Sequence, residues 1–442
     1  MRFEVNRLEV GRRTIRRAAV FVVVVFELLS SIAQTQSVAP VDEVSAMVQP
    51  RAGGSNNKPA ISFASSGLSF SSQDGADQLR VHGYVQADDR MFSANPQGEA
   101  LEVFLFRRMR PLFEGTLFNS IDFRFMPDFG QNNPQIQEAY LEEKSLSFAK
   151  LRVGKFKEPI GLEVLRSDRE LTFAERSLAS DLVPLRYMGA QVAGSVLSES
   201  ITYAVGYFNG STDGSNGSFK WIPANEAAAR IFFRPFARTP VRGIRQFGLG
   251  LAGSSGAEHG TIVGLKTVGQ STFFKYSSTA IANGQHNRIA PQAYCYGGPV
   301  GLLGEYVISS QAVLNKRAAD RLRNQAWDVS GSIVLTGEKN SYNGVRPRHA
   351  FEPTKSFRYW GAVELAARYS QLHIDRATFP LFANPKTAAQ QATEAAIGLN
   401  WYLNRYVKLV TDYEHTSFKM ALRSVTPLHN EDVLMSRIQL AF

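Results

Sequence analysis

From Leu79 to the last residue, Phe442, segments of roughly nine to fifteen residues recur in which apolar and polar side chains alternate, separated by turn-like clusters. A period of two puts successive side chains on opposite faces of a strand. In IDFRFM, Ile121, Phe123 and Phe125 oppose Asp122, Arg124 and Met126; in AAARIFFRPF, Ala229, Ile231 and Phe233 oppose Arg230 and Arg234. GAVELAARYSQL sets Val363, Leu365, Ala367 and Tyr369 against Glu364, Ala366, Arg368 and Ser370, and the final strand sets Leu434, Ile438, Leu440 and Phe442 against Arg437 and Gln439. One face of the sheet therefore seeks an apolar medium while the other carries charge.

The N-terminus indicates which medium lies on which side. Arg2, Arg7, Arg12, Arg13, Arg16 and Arg17 precede the apolar run AAVFVVVVFELL and the small residues SSIA, the three parts of a secretory signal peptide over residues 1–33. The run is shorter than the ~20 residues of a spanning helix and contains Glu27. Cleavage after Ala33 removes six Arg and three Glu, which takes the formal charge from +10 to +7. Residues 34–78, rich in Ser, Ala, Gly, Asn and Gln, read as a flexible leader. Beyond them no apolar run approaches the ~18 residues of a membrane helix, so only strands are left to cross a membrane. A sheet in lipid has to close on itself, because an open edge leaves backbone groups unsatisfied. An Arg on the lipid side near the midplane costs about 2–4 kcal/mol, so the charged face is the lumen. The terminal Phe442 at the end of an alternating strand is typical of outer-membrane barrels.

About seventeen segments look like strands, but a single-chain bacterial barrel has an even number. Strand direction traced from both ends places the short STFFKYSS (Ser271 to Ser278) in a surface loop. The expectation is an all-β, sixteen-stranded antiparallel transmembrane β-barrel over residues 79–442.

The third external loop is then EPIGLEVLRSDRELTFAERSLASDLVP, which follows the outward strand Ala149 to Lys157. Residues Val153 to Leu178 carry five formal charges of each sign. Unpaired ions cannot be buried cheaply, so the loop is expected to fold inward and line a water-filled constriction, with a short helix near Asp168 to Leu178. Arg166, Arg169 and Arg176 admit two readings: a cationic throat for anions, or ion pairs with Glu163, Asp168, Glu170 and Glu175 that pin the loop to the wall. On the strands, Arg80, Arg108, Arg110, Arg124, Arg152, Arg230, Arg234, Arg368 and Arg437 face the lumen, together with Asp88, Asp122, Glu364, Asp412 and Glu414, so some of these Arg serve as paired struts. Arg107 breaks the alternation and marks a rim residue or a bulge. Rings of Arg and Lys favour anion passage, and a guanidinium presents a planar fork to phosphate or carboxylate oxygens.

VGKFKEPIGLEVLRSDRELTFAERSL closely resembles a strand-to-loop signature of the phosphate-selective porin O and P family, as do LFRRMRP (Leu105 to Pro111), LLGEYV (Leu302 to Val307), VELAARYSQL (Val363 to Leu372) and IGLNWYLN (Ile397 to Asn404). The matches fall in order over about residues 79–442. The resemblance implies a sixteen-stranded outer-membrane porin for small, phosphate-like anions, assembled as a homotrimer in outer-membrane lipid. Family members best known for phosphate carry an arginine ladder in the fifth external loop, whereas STFFKYSSTA here has Lys275 as its only cation. Anion passage is expected to persist where strong phosphate preference does not.

Other classes find less support. The basic surplus is spread thinly without a nucleic-acid-binding motif. No cofactor is expected: metal-ligand spacing, a nucleotide-binding Gly-rich loop and a nucleophile elbow are all missing from the sequence. The lone Cys295 excludes an intramolecular disulfide. A structural barrel tethered through residues 34–78, or a barrel enzyme using His415 and Ser417 on a shared strand face, are the alternatives.

Overall fold

The computed structural model describes residues 60–64, 67–210, 225–241, 243–316, 318–356, 359–422 and 427–442; the expected signal peptide and the leader as far as residue 59 lie outside them. Strands β1 (Ala60–Ala64) and β2 (Gly67–Ser71) precede β3 (Gln78–Ala94), β4 (Leu101–Leu117), β5 (Ile121–Asp128), β6 (Gln135–Glu143) and β7 (Lys150–Lys157). There follow β8 (Arg186–Val196), β9 (Ile201–Phe208), β10 (Glu226–Phe233) and β11 (Gln246–Thr261). A small separate hairpin, β12 (Leu265–Lys266) with β13 (Thr272–Phe274), occupies the next loop, as expected for STFFKYSS. Then come β14 (Ala280–Gly297), β15 (Val300–Asn315), β16 (Ala318–Val334), β17 (Ala362–His373), β18 (Ala389–Tyr402), β19 (Val407–Met420) and β20 (Glu431–Ala441).

From β3 onward each strand pairs antiparallel with its successor, β11 passing directly to β14, and β20 returns to β3 with Arg437 opposite Asp88 and Leu440 opposite Val85. Sixteen strands thus close a barrel. The leader differs from expectation at its end. Residues 60–71 form a hairpin whose β2 pairs with Gln78–Val81, the part of β3 that projects past Ala441 of β20. An unpaired edge there would expose backbone donors and acceptors, and the hairpin covers it.

The two faces follow the alternation. Phe125 is 41% exposed, Ile231 53% and Tyr369 46%, whereas their neighbours Met126, Phe232 and Arg368 are buried. Large apolar side chains outside and buried charge inside invert a water-soluble sheet and fit one bathed in lipid.

Candidate functional site

Residues 158–185, between β7 and β8, contain one helical turn at Leu162–Leu165 and a 3-10 turn at Leu178–Leu182. The helix expected near Asp168–Leu178 does not form. The backbone of this stretch is held by wall side chains instead. Gln86 donates to the Asp168 carbonyl (3.1 Å), Lys408 to Leu171 (2.7 Å), Asn400 to Thr172 (2.8 Å), Arg368 to Glu175 (2.9 Å) and Arg437 to Ala174. In the other direction, the N–H groups of Leu162 and Glu163 donate to Glu305 (2.7 and 3.1 Å), and that of Ala174 donates to Asp412 (2.6 Å). A buried backbone group without a partner is costly, and β3, β15, β17, β18, β19 and β20 supply the partners that a helix would have supplied. Tyr342, in the connection between β16 and β17, adds a hydroxyl bond to the Leu162 carbonyl at 2.6 Å.

Two carboxylates of the segment gather seven arginines. Asp168 meets Arg110, Arg176 (2.5 Å), Arg186 (3.3 Å) and, at longer range, Arg108 (3.9 Å). Glu175 meets Arg107 (2.6 Å), Arg90 (2.7 Å), Arg437 (3.2 Å) and Arg108 (3.4 Å). Burial alone would raise both acids, but the surrounding guanidinium groups outweigh it and hold both carboxyls well below the usual range. Arg107 reaches Glu175 because a bulge leaves it out of the register, with Gln86 opposite Arg108 and Ala87 opposite Phe106.

The expected site residues separate into groups. Arg108, Arg110, Arg176 and Arg368 are paired with buried acids; Arg368 bonds Glu394 (2.9 Å) and Glu414 (3.3 Å). Arg166 finds no acid within salt-bridge distance among the described residues. It donates to the Glu170 carbonyl (2.5 Å) and Thr172 (3.2 Å) and lies over the Tyr342 ring. Arg124 bonds Glu114 and Glu138, Arg152 bonds Glu142 at 2.6 Å while stacking on Tyr140, and Arg230 bonds, among the described residues, only the neutral Gln292. The Arg169 guanidinium has no partner among the described residues. Arg234 departs from expectation: it lies past the end of β10, bonded to Glu199 across a turn, because the strand ends at Phe233. Lys275 is exposed, whereas the preceding Phe273 and Phe274 are buried, so the fifth loop turns its rings inward to pack and not toward a solute.

A cavity of about 710 Å³ borders β3 to β10. Its basic lining is Arg124, Lys150, Arg152, Lys157, Arg169, Arg186 and Arg230; its acidic lining is Glu114, Glu138, Glu142, Asp168 and Glu199. A second cavity of about 400 Å³ is lined by Arg80, Arg169, Arg346, Arg405 and Lys408, with Glu114 and Glu170. His82, Glu114 and Arg169 border both. Arg346 and Arg405 escaped the sequence reading because they lie in connections, where no alternation assigns a face; Arg186 and Lys150 sit at strand ends, where it is weakest.

The alternative chemistry has little footing. His415 pairs with Asp432 (2.7 Å), and Ser417 bonds the Thr393 carbonyl, so the two do not engage each other. Glu258, His286 and Ser309 do form a chain at 2.6 and 2.7 Å, but Ser309 is buried and Arg288 contacts the same Nδ1 of His286 at 3.1 Å, which ties the imidazole into a network of wall side chains.

Residues 79–442 match the family described as phosphate-selective porin O and P. Porin O of Pseudomonas aeruginosa is 22% identical over 389 residues, covering 78% of this chain and 84% of the relative. Among solved structures, the outer membrane channel DcaP of Acinetobacter baumannii superposes with a TM-score of 0.56 at 10% identity, covering 84% of this chain and 99% of that one. The anion-selective porin from Comamonas acidovorans gives 0.53 at 10% identity, covering 83% and 100%. The trimer form of OmpT from Vibrio cholerae also gives 0.53 at 10%, with the same coverage. With its sixteen-stranded barrel, its inverted faces and a family match across nearly all the described residues, the chain belongs to the phosphate-selective porin O and P family.

Proposed function

We propose that this protein is a passive outer-membrane channel for small anions, phosphate-like or carboxylated, and that residues 158–185 fold into the barrel to form its constriction. The observation that carries the reading is the cavity against β3 to β10, where, among the described residues, Arg169 and Lys150 have no partner and Arg230 bonds only a neutral amide. Cations left with spare donors in a water-filled, low-dielectric passage attract anions and, held at several separate points, release them again. The dense guanidinium group around Asp168 and Glu175 adds to the positive field without being free to bind. Membership of an outer-membrane porin family and the anion-selective relative favour this reading over a structural barrel. A homotrimer in outer-membrane lipid accords with the trimeric relative.

The test is conductance. Purified protein in planar bilayers should pass chloride more readily than potassium, as read from the reversal potential in a KCl gradient. A closed protein or a cation-selective one would overturn the proposal.

A further inference from the structure

One dense group of positive charge is not open to solutes, since a side chain of the protein occupies it. Asp168 sits where guanidinium groups from three different places converge: Arg108 and Arg110 on β4, Arg186 at the start of β8, and Arg176 further along its own loop. The Tyr84 hydroxyl donates to it at 3.4 Å. The fit is incomplete. Arg108 Nε stands 3.9 Å from the nearest Asp168 oxygen, beyond hydrogen-bond reach, and is a buried donor with no partner. A carboxylate has two oxygens in one plane, while these donors approach from several directions. Four oxygens on a tetrahedral centre would answer them better.

The charge balance points the same way. Arg110 has a second acid in Asp128 (2.6 Å) and Arg186 one in Glu138 (3.3 Å), whereas Arg176 otherwise bonds, among the described residues, only the carbonyls of Glu163 and Arg166. Without the Asp168 carboxylate, Arg176 would be a buried cation with no acid in direct contact among the described residues, Glu163 and Glu175 acting on it only at longer range, a state that favours an anion from solution. The 710 Å³ cavity reaches this point, since Tyr84, Asp168 and Arg186 are among its lining residues.

We propose that Arg108, Arg110, Arg176, Arg186 and Tyr84 form a binding site for a tetrahedral oxyanion such as phosphate or sulfate, and that Asp168 is its tethered occupant, which keeps solutes out of the deepest trap and on the weaker stations along the cavity wall. This rests on the anion-channel reading and specifies how that channel avoids holding its cargo. Asp168→Ser empties the site and Asp168→Glu refills it. In planar bilayers, inorganic phosphate should half-block the chloride current of the Asp168→Ser channel at a concentration at least ~10-fold lower than in the unmodified channel, with Asp168→Glu close to unmodified. Sulfate should act like phosphate.

Stability provides an independent readout if the serine variant assembles poorly. Phosphate or sulfate should raise its unfolding midpoint in detergent above that in chloride of equal ionic strength, and should leave the unmodified protein unmoved. If neither the block nor the midpoint of Asp168→Ser responds to oxyanions more than the unmodified protein does, the site does not exist. A channel that proves cation-selective would instead defeat the anion-channel reading, and the stability measurement would still decide the site.

Discussion

Arg368 and Arg169 carry the same charge and are both candidates from the sequence, but they stand at opposite ends of a range. The Arg368 side chain is 0% exposed and lies between Glu394 and Glu414 with Glu163 at 3.6 Å; the Arg169 guanidinium is half-buried, unpaired among the described residues, and borders both cavities. The contrast extends along the strands. The arginines of β3, β4, β17 and β20 are tied to acids of loop and wall, while Lys150 on β7 and Arg230 on β10 have no acid partner among the described residues. An inward position makes an arginine available only where no carboxylate is within reach.

The largest expected effect comes from breaking the tied end. Arg368→Ala leaves the buried Glu394 and Glu414 without a cation, a loss of about 3–5 kcal/mol. The barrel should lose heat-resistant mobility on electrophoresis, and an unchanged variant would mean that these acids are neutral or hydrated. At the free end the effect should fall on selectivity instead. Arg169→Glu should lower the chloride-to-potassium permeability ratio several-fold with an unfolding midpoint close to that of the unmodified protein. A stability loss as large as that of Arg368→Ala would make Arg169 a strut and remove the contrast.

Much of this division lay beyond a reading of the sequence, for a definite reason. Period-two alternation puts Arg124, Arg230, Arg368 and Arg437 on one face because that follows from backbone geometry alone. The even strand count, the loop position of STFFKYSS and the bulge at Arg107 follow from local rules as well. Whether an inward arginine is free depends on acids far away in sequence. Asp88 meets Arg437 across the barrel closure, Glu175 meets Arg90, and Arg368 meets Glu394 and Glu414 across two strand pairs. Alternation contains none of those distances. The missing helix near Asp168–Leu178 is the same failure from another side, since the bonds that replace it come from strands up to 270 positions away along the chain.

The loop's own acids sharpen the comparison with a smaller effect. Glu158 is 0% exposed, and neither carboxylate oxygen has a hydrogen-bond partner. Burial, with Glu226 nearby, pushes it up to about 9, against the opposing pull of Arg288. Asp168 and Glu175, caged by arginines, go the other way. A carboxyl raised on folding takes up a proton, so its stability penalty is absent below the unfolded value of about 4.3, grows as pH rises toward about 9, and is constant above it. Glu158→Gln keeps the shape and abolishes the titration. Its unfolding midpoint should exceed that of the unmodified protein by a margin that widens from pH 5 to pH 9; a margin independent of pH would show that Glu158 is not titrating there.

The smallest effect is expected at Lys275. Its neighbours do the structural work: Phe273 stacks on Phe418 with centroids 5.6 Å apart, and Phe274 packs edge-on against Tyr276 at 4.8 Å and Phe379 at 6.2 Å. Both rings belong to the apolar cluster that includes Ile160, Leu178 and Leu182 of the third loop. Lys275 projects from this hairpin to solvent, and a single exposed charge is screened within about 8 Å at physiological ionic strength. Lys275→Ala should therefore leave chloride selectivity and the weak phosphate block almost unchanged. Phe274→Ala, by contrast, opens a cavity worth about 3–5 kcal/mol beneath the loops. If Lys275→Ala alters the block as strongly as Arg169→Glu alters selectivity, a solute must pass within contact distance of the fifth loop, and the boundary between tied and free cations would have to be redrawn to include the outer mouth.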